Sequence, residues 1–472
     1  MKKVLLATML LVTLVAMPAF AAVQNIKVSG NIDSSFVYRD RFDLTEDSST
    51  HRTEFEQRFL MTQTRLRVDA DLSDNVAATV ALINERAWGT ENQVSNDTAL
   101  DLYLSYVTLR EMLYSPMTVT IGRQQFKYGN SFIIGAAGPN NSATGPLQNV
   151  AGDLTMRTSY DGAKFVFDYK PLTIDVFGAK VNANNLKGAG SGAAHNDDVD
   201  LYGINANYQL GDAMNTTLEG YLFTKIDNSV RTSVGAKADR VYTPGLRAST
   251  NPIKGWNVQG EVAMQRGSKA IGSGDNIQRD AMAAQVISNY LIPFEKVSKY
   301  KPSIQGVYTW VTGDTNPDNT TYSQQASSNK FTGWDPMFED QSGGKIYNAL
   351  FNLTNDHIVE LSGQFSPIED VMAKFSWTGM WLDKEFETAS GGRKYGNGTF
   401  TGLVQPDSST VSEKVTTNLD LGHELDADLT YDYTEDVQFG LSLGWFFPGN
   451  AFYSDFNQKT AKQAIAHVGV AF

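Results

Sequence analysis

Apolar and polar side chains alternate with a period of two along much of this chain. In Leu419–Asp432, for example, Leu425 lies between Glu424 and Asp426, and carboxylates occupy most of the alternate positions. A period of two with polar groups on one face predicts a β-strand between an apolar phase and water. The last such segment ends on Phe472, in phase with its apolar residues. We therefore expect amphipathic strands and a closing strand whose final aromatic side chain meets the apolar phase.

About eighteen candidate strands follow one another, joined by connections that alternate between short and long. Short turns such as Lys170–Pro171 follow even-numbered strands. Long loops follow odd-numbered strands; they include 267–279 and the three longest, 127–153, 313–354 and 388–416. This alternation is typical of a transmembrane antiparallel β-barrel with brief periplasmic turns and extended extracellular loops. We predict an all-β barrel over residues 22–472 in a bacterial outer membrane, closed because lipid cannot satisfy backbone donors at an open edge.

One face of each amphipathic strand is predicted to line the lumen. In the second strand, Leu60 and Leu66 belong to the lipid-facing set, whereas Gln63, Arg65 and Arg67 belong to the inward set. Eighteen strands enclose more space than side chains can fill, so an aqueous passage, or one narrowed by inserted loops, is expected. The barrel should therefore pass hydrophilic solutes, and the long loop 313–354 is a candidate to fold back into its lumen.

The amino terminus carries the features of a secretory signal. Lys2 and Lys3 precede an apolar run, and Ala19-Phe20-Ala21 supplies a small-residue cleavage site. Residues 1–21 are therefore predicted to be a signal peptide, because the apolar run is too short to cross a bilayer as a helix.

Composition narrows the chemistry further. The chain has no cysteine, which excludes disulfides, thiolate metal sites and iron–sulfur clusters. Its formal net charge of −13 argues against nucleic-acid partners. The five histidines are scattered, without metal-ligand spacing or a neighbouring nucleophile motif. We therefore predict no enzymatic activity, no cofactor and no metal site.

Several short segments occur in the order found in one transport family. They are Arg65-Leu66-Arg67, Glu85-Arg86-Ala87-Trp88-Gly89, Gly122-Arg123-Gln124 with Tyr128-Gly129, Arg157 with Asp161-Gly162, Thr312-Gly313-Asp314, Trp334-Asp335-Pro336-Met337-Phe338, Leu421-Gly422-His423-Glu424-Leu425-Asp426 and Phe446-Phe447-Pro448-Gly449. Through these segments the chain resembles the alginate-export family of outer-membrane porins.

The resemblance implies an eighteen-stranded barrel whose narrow waist carries arginines and interspersed carboxylates that attract an anionic uronate polymer such as alginate. The residues in matching segments are the basic candidates Arg65, Arg67, Arg123 and Arg157 and the acidic candidates Glu85, Glu424 and Asp426. Arginine suits this role because its planar fork binds carboxylates bidentately. The partners expected are outer-membrane lipid and an anionic polysaccharide or small hydrophilic solutes, with any periplasmic partner unidentified.

Two alternatives stay open at this stage. The inward carboxylates Asp420, Glu424, Asp426 and Asp428 have few basic neighbours, which also suits a general or cation-preferring diffusion porin. A barrel with a closed lumen that serves as a surface receptor or structural element would present the same strands. Within the second strand, Arg65 and Arg67 could equally brace the wall by pairing with nearby aspartates.

Overall fold

The computed structural model describes residues 25–42, 44, 56–89, 100–114, 116–135, 153–182, 198–228, 237–270, 276–315, 330–341, 343–385, 393–395, 413–415, 418–452 and 459–472. The predicted signal peptide and much of the three long loops lie outside these residues. In the described part of the chain, no helix is long and apolar enough to cross a membrane.

Eighteen long strands form the wall of the molecule. In chain order they are β1 Asn25–Asp40, β2 Glu56–Ser73, β3 Val76–Ala87, β4 Asp101–Leu109, β5 Met117–Gln124, β6 Tyr160–Asp168, β7 Leu172–Asn182, β8 Val199–Gln209, β9 Thr217–Asp227, β10 Asp239–Ile253, β11 Trp256–Ala270, β12 Asn276–Leu291, β13 Ser303–Val311, β14 Asp356–Ile368, β15 Val371–Leu382, β16 Asp420–Asp432, β17 Val437–Pro448 and β18 Ala461–Ala471. Each pairs antiparallel with its neighbours in sequence, and β1 also pairs with β18. The prediction of a closed barrel of about eighteen antiparallel strands is confirmed.

The two ends of the chain close the barrel against each other. Phe472 and Gly30 exchange two backbone hydrogen bonds, of 2.8 and 3.0 Å. The Phe472 ring lies so close to Gly30 that a Cβ there would come within 2.7 Å of the ring. The side chain itself is 59% exposed on the outside of the barrel. The closing strand therefore presents its last aromatic residue to the apolar phase.

The two faces of the strands differ as the alternation predicted. On β11, Val262 and Met264 point outward and are 56% and 42% exposed, whereas Glu261 and Gln265 point inward and are buried. On β2, Leu66 is exposed on the outside. Outward apolar side chains provide the lipid-facing band that an outer-membrane barrel requires.

The connections mostly follow the predicted alternation, with one difference. The prediction gave a long loop over residues 267–279, but β11 and β12 extend until only residues 271–275 separate them. The turn over residues 292–302, on the opposite rim, is longer. Ser268 and Lys269 still pair with residues of β12, so the two strands continue through most of the predicted loop and leave a short connection.

Two long connections enter the lumen and build the main buried core. Residues 125–135 and 330–355 meet where Ile134 forms a bridge with Phe338 and where the rings of Phe132 and Trp334 stack. The second connection contains a short helix, α1, at Lys345–Leu350. Most of the core therefore lies inside the barrel, between these segments and the inward faces of the strands.

The start of β16 departs from the alternation. Leu421 was predicted to face the apolar phase, but it is fully buried in the lumen core. Gly422 has φ of +112°, and the pairing with β15 shifts register at this point. This bulge turns Leu421 inward and places Asp420 opposite Trp381 on the outer side, so Asp420 leaves the predicted acidic row.

Candidate transport channel

The lumen is filled toward the extracellular rim and accessible to water toward the periplasmic rim. Near the extracellular ends of their strands, the inward side chains Val37, Leu382 and Phe446 are buried. Near the periplasmic ends, Asn31 and Asn257 are only half-buried. Water therefore reaches the inner wall from the periplasmic half, while the described loop segments occupy the extracellular half.

Residues 330–341 are held to the inner wall by a buried ion pair. Lys225 of β9 places Nζ 2.6 Å from both carboxylate oxygens of Asp335, and Arg279 of β12 lies 3.9 Å away. The side-chain amide of Gln265 forms two hydrogen bonds with the Asp335 backbone: Nε2 donates to the carbonyl oxygen at 2.7 Å, and Oε1 accepts from the N–H at 2.8 Å. Burial alone would raise the pKa of Asp335, but the adjacent cations outweigh it and hold this pKa below its usual range. The carboxylate is thus fixed in its charged form.

Helix α1 is held by the acidic row of β16. The backbone amides of Ile346 and Tyr347 donate to the two oxygens of Glu424 at 2.8 and 2.9 Å. Lys345 pairs with Asp428 of the same strand. Two of the carboxylates that the sequence assigned to an acidic wall are therefore occupied by the loop.

The sequence-predicted residues Arg65 and Arg67 face the lumen in its water-accessible half. Arg65 donates from Nε to Asn31 Oδ1 at 2.6 Å, and no carboxylate in the described residues pairs with it. Arg67 forms a salt bridge of 2.7 Å with Asp69 and contacts Tyr106. Arg67 thus braces the wall, while Arg65 keeps its charge available to the lumen.

Glu85 and Arg157 meet in a buried cluster at the inner wall. Arg157 Nε lies 3.2 Å from Glu85, and Nη1 lies 3.2 Å from Asp101. Gln63 and Thr155 also donate to Glu85, at 2.8 and 2.7 Å. Both candidates are buried, so they fasten the segment that precedes β6 to the barrel.

Arg123 lies apart from the other candidates. It is directly opposite Ser105 on β4 and Asp161 on β6, in phase with Ile121, which is 53% exposed. Directly paired residues, and residues two apart on a strand, share a face of the sheet. The guanidinium donates two hydrogen bonds of 2.8 Å to Asp161 on the outer surface. This corrects the expectation that Arg123 lines the pore, which came from the Gly-Arg-Gln segment without a clean alternation.

A polar cavity of about 240 Å³ remains between α1 and the wall of β12–β16. Lys345, Lys374, Glu360, Asp426 and Asp428 contribute its charged groups. Asp426 is buried and accepts a hydrogen bond of 3.5 Å from Ser376. The cavity therefore combines both signs of charge next to the docked loop.

Sequence reasoning found one side of the loop attachment and missed the other. The segment Trp334–Phe338 was singled out by resemblance, but its partner Lys225 lies 110 residues earlier than Asp335. The inward phase of β9 was the only available signal for Lys225. Arg279 was missed because apolar and polar residues do not alternate cleanly around Met282 of the same strand, so the sequence assigns no lumen face to β12.

The comparisons with known proteins agree with this architecture. The family model described as alginate export matches residues 31–466. The chain belongs to the alginate export family. No curated protein matches this chain. Together, the family and the closed barrel establish it as a channel of the bacterial outer membrane.

Solved structures share the fold at low sequence identity. Three are from Pseudomonas aeruginosa: OccK11 (OpdR), with 10% identity and a TM-score of 0.53 over 95% of this chain and 96% of that one; OccK2 (OpdF) in complex with glucuronate, with 12% identity and a TM-score of 0.54 over 95% and 99%; and OccK8 (OprE), with 11% identity and a TM-score of 0.53 over 95% and 98%. At this level of sequence identity, the similarity shows that this member of the alginate export family shares their fold. It does not show a shared function.

Proposed function

We propose that this channel passes an anionic polysaccharide, alginate or its fragments, across the outer membrane. The family supports this class of cargo. OccK2, a barrel of the same fold, is known in complex with glucuronate, a monomeric uronate. Selection would come from charge and pore width, with no covalent step.

The proposal rests on a contrast between lumen side chains: two carboxylates are bound by the docked loop, whereas one arginine faces water. Glu424 and Asp428 are engaged by α1, so the acidic row is not fully presented to a passing solute. Arg65 faces the water-accessible half, and within the described ranges its side-chain partner is the amide oxygen of Asn31. A uronate carboxylate can accept hydrogen bonds from such a guanidinium, and a partly dehydrated channel strengthens the attraction.

Block of single-channel current by oligouronates tests the proposal. Arg65→Ala should weaken the block by about fivefold, which corresponds to about 1 kcal/mol for a water-exposed charged contact. Arg123→Ala is the matched control, because it removes the same type of side chain from the outer surface and should leave the block constant unchanged. If wild-type protein conducts but oligouronates never block it, this cargo class is wrong.

A general diffusion porin is the second candidate, and the pairing of Arg67 with Asp69 favours it. Such a pair leaves no net charge at that point of the wall. A diffusion porin would show block that is equal for neutral and acidic oligosaccharides of the same length, and Arg65→Ala would not affect it.

A further inference from the structure

A basic patch lies on the outer surface of the barrel, near the extracellular ends of β10, β11 and β12. Its upper row runs across directly paired positions: Arg240 faces Ser268, Ser268 faces Gln278, and Gln278 faces Lys330 of the incoming loop. In the row below, Tyr242 faces Arg266. We call these two rows the outer basic patch.

The patch points away from the lumen and sits at the edge of the apolar band. Tyr242 is 40% exposed beside Arg266, and Met264 and Met282, the next outward residues toward the periplasm, are each 42% exposed. Aromatic side chains at this position mark the interface between the hydrocarbon and the headgroups. The cations therefore lie at the depth of lipid headgroups in the outer leaflet.

In the described residues of the two rows, cations outnumber carboxylates. Arg266 and Lys330 bind the two oxygens of one carboxylate, Asp280, each at 2.7 Å. Arg240 is exposed and forms no ion pair in the described part of the chain. Among the described residues of the two rows, Arg240, Arg266 and Lys330 thus accompany one carboxylate, that of Asp280.

We propose that the outer basic patch binds the phosphate group of a phosphorylated glycolipid in the outer leaflet. Arg240 and Lys330 supply charge-assisted donors, and the Ser268 hydroxyl and Gln278 amide lie between them as neutral donors. The apolar band directly below accepts the acyl chains, which a soluble phosphate lacks. Lipid bound at the patch covers the outer face of β11 and β12, whose inner face carries Lys269 and Arg279. The proposal does not depend on which cargo the channel passes.

The test measures binding of diphosphoryl lipid A to the full-length protein in detergent. The variant Arg240→Gln/Lys330→Gln keeps the Arg266–Asp280 pair and removes the two outer cations. We expect its Kd to rise by about tenfold or more, because each cation near a lipid surface contributes about fivefold. Wild-type protein should bind dephosphorylated lipid A as weakly as the variant binds the phosphorylated form.

A matched control separates the patch from general charge effects. Lys296→Gln/Lys299→Gln removes two cations from the turn at the opposite rim and should keep the wild-type Kd. Heat-dependent electrophoretic migration verifies that all three proteins are folded barrels. The proposal is overturned if the patch variant binds within about twofold of wild type, if the control loses as much affinity, or if removing the phosphates leaves wild-type binding unchanged.

Discussion

The ion pair between Lys225 and Asp335 predicts how firmly the loop is held in the lumen. Both side chains are largely buried, with 15% and 14% exposed. Lys225→Met retains most of the apolar stem and removes the charge. Of the residues that the structure describes, Arg279, at 3.9 Å, would then be the cation left near Asp335.

The expected cost follows from the burial of the pair. Removing one partner of a fully buried pair costs about 3–5 kcal/mol, because the remaining charge is left uncompensated. Since some exposure remains and Arg279 can move closer, we expect about 2 kcal/mol, or roughly thirtyfold in the equilibrium between docked and released loop. Loop release should open the extracellular half of the lumen.

Single-channel recording in planar bilayers measures this change as open probability. Lys225→Met should raise it, and hydrogen exchange of residues 330–341 should accelerate in parallel. Arg58→Met is the control, because the exposed Arg58–Glu56 pair on the outer wall should contribute little. If exchange accelerates while the open probability stays at the wild-type value, the loop does not restrict the passage and the reasoning fails.

Two further predictions concern the pH response and the β16 bulge. The pKa of Glu339 is raised from its ordinary value of 4.5 to about 7, chiefly by burial. Between pH 4.5 and 7, Glu339 is therefore protonated in the docked loop and ionised in the released loop. Docking therefore weakens as the pH rises through 7, and open probability should be higher at pH 8 than at pH 5.5; a Glu339→Gln channel with the same pH response would contradict this. Gly422→Ala should lower the unfolding temperature, because φ is +112° and the new Cβ would lie 2.0 Å from the Phe447 carbonyl oxygen. Gly260→Ala, with no atom within 4 Å of its Cβ, should not.

Strand phase shows where sequence reasoning was sufficient. On β2 the alternation is uninterrupted, and Leu66 and Arg65 lie on the predicted faces. On β5 and β16 it was not sufficient. Arg123 follows Gly122 in a segment whose phase depended on resemblance, and Leu421 precedes Gly422, where a bulge reverses the side. Local hydropathy does not record a bulge, because the bulge is defined by pairing with another strand.

The sequence by itself determined the barrel, because a period of two and alternating connection lengths are local properties that only a closed wall in lipid satisfies. The tertiary structure alone decided how the lumen is filled. The contacts of Asp335 with Lys225 and of Glu424 with α1 join segments distant in the chain. Their partners depend on the radius and register of the closed barrel, which no single segment encodes.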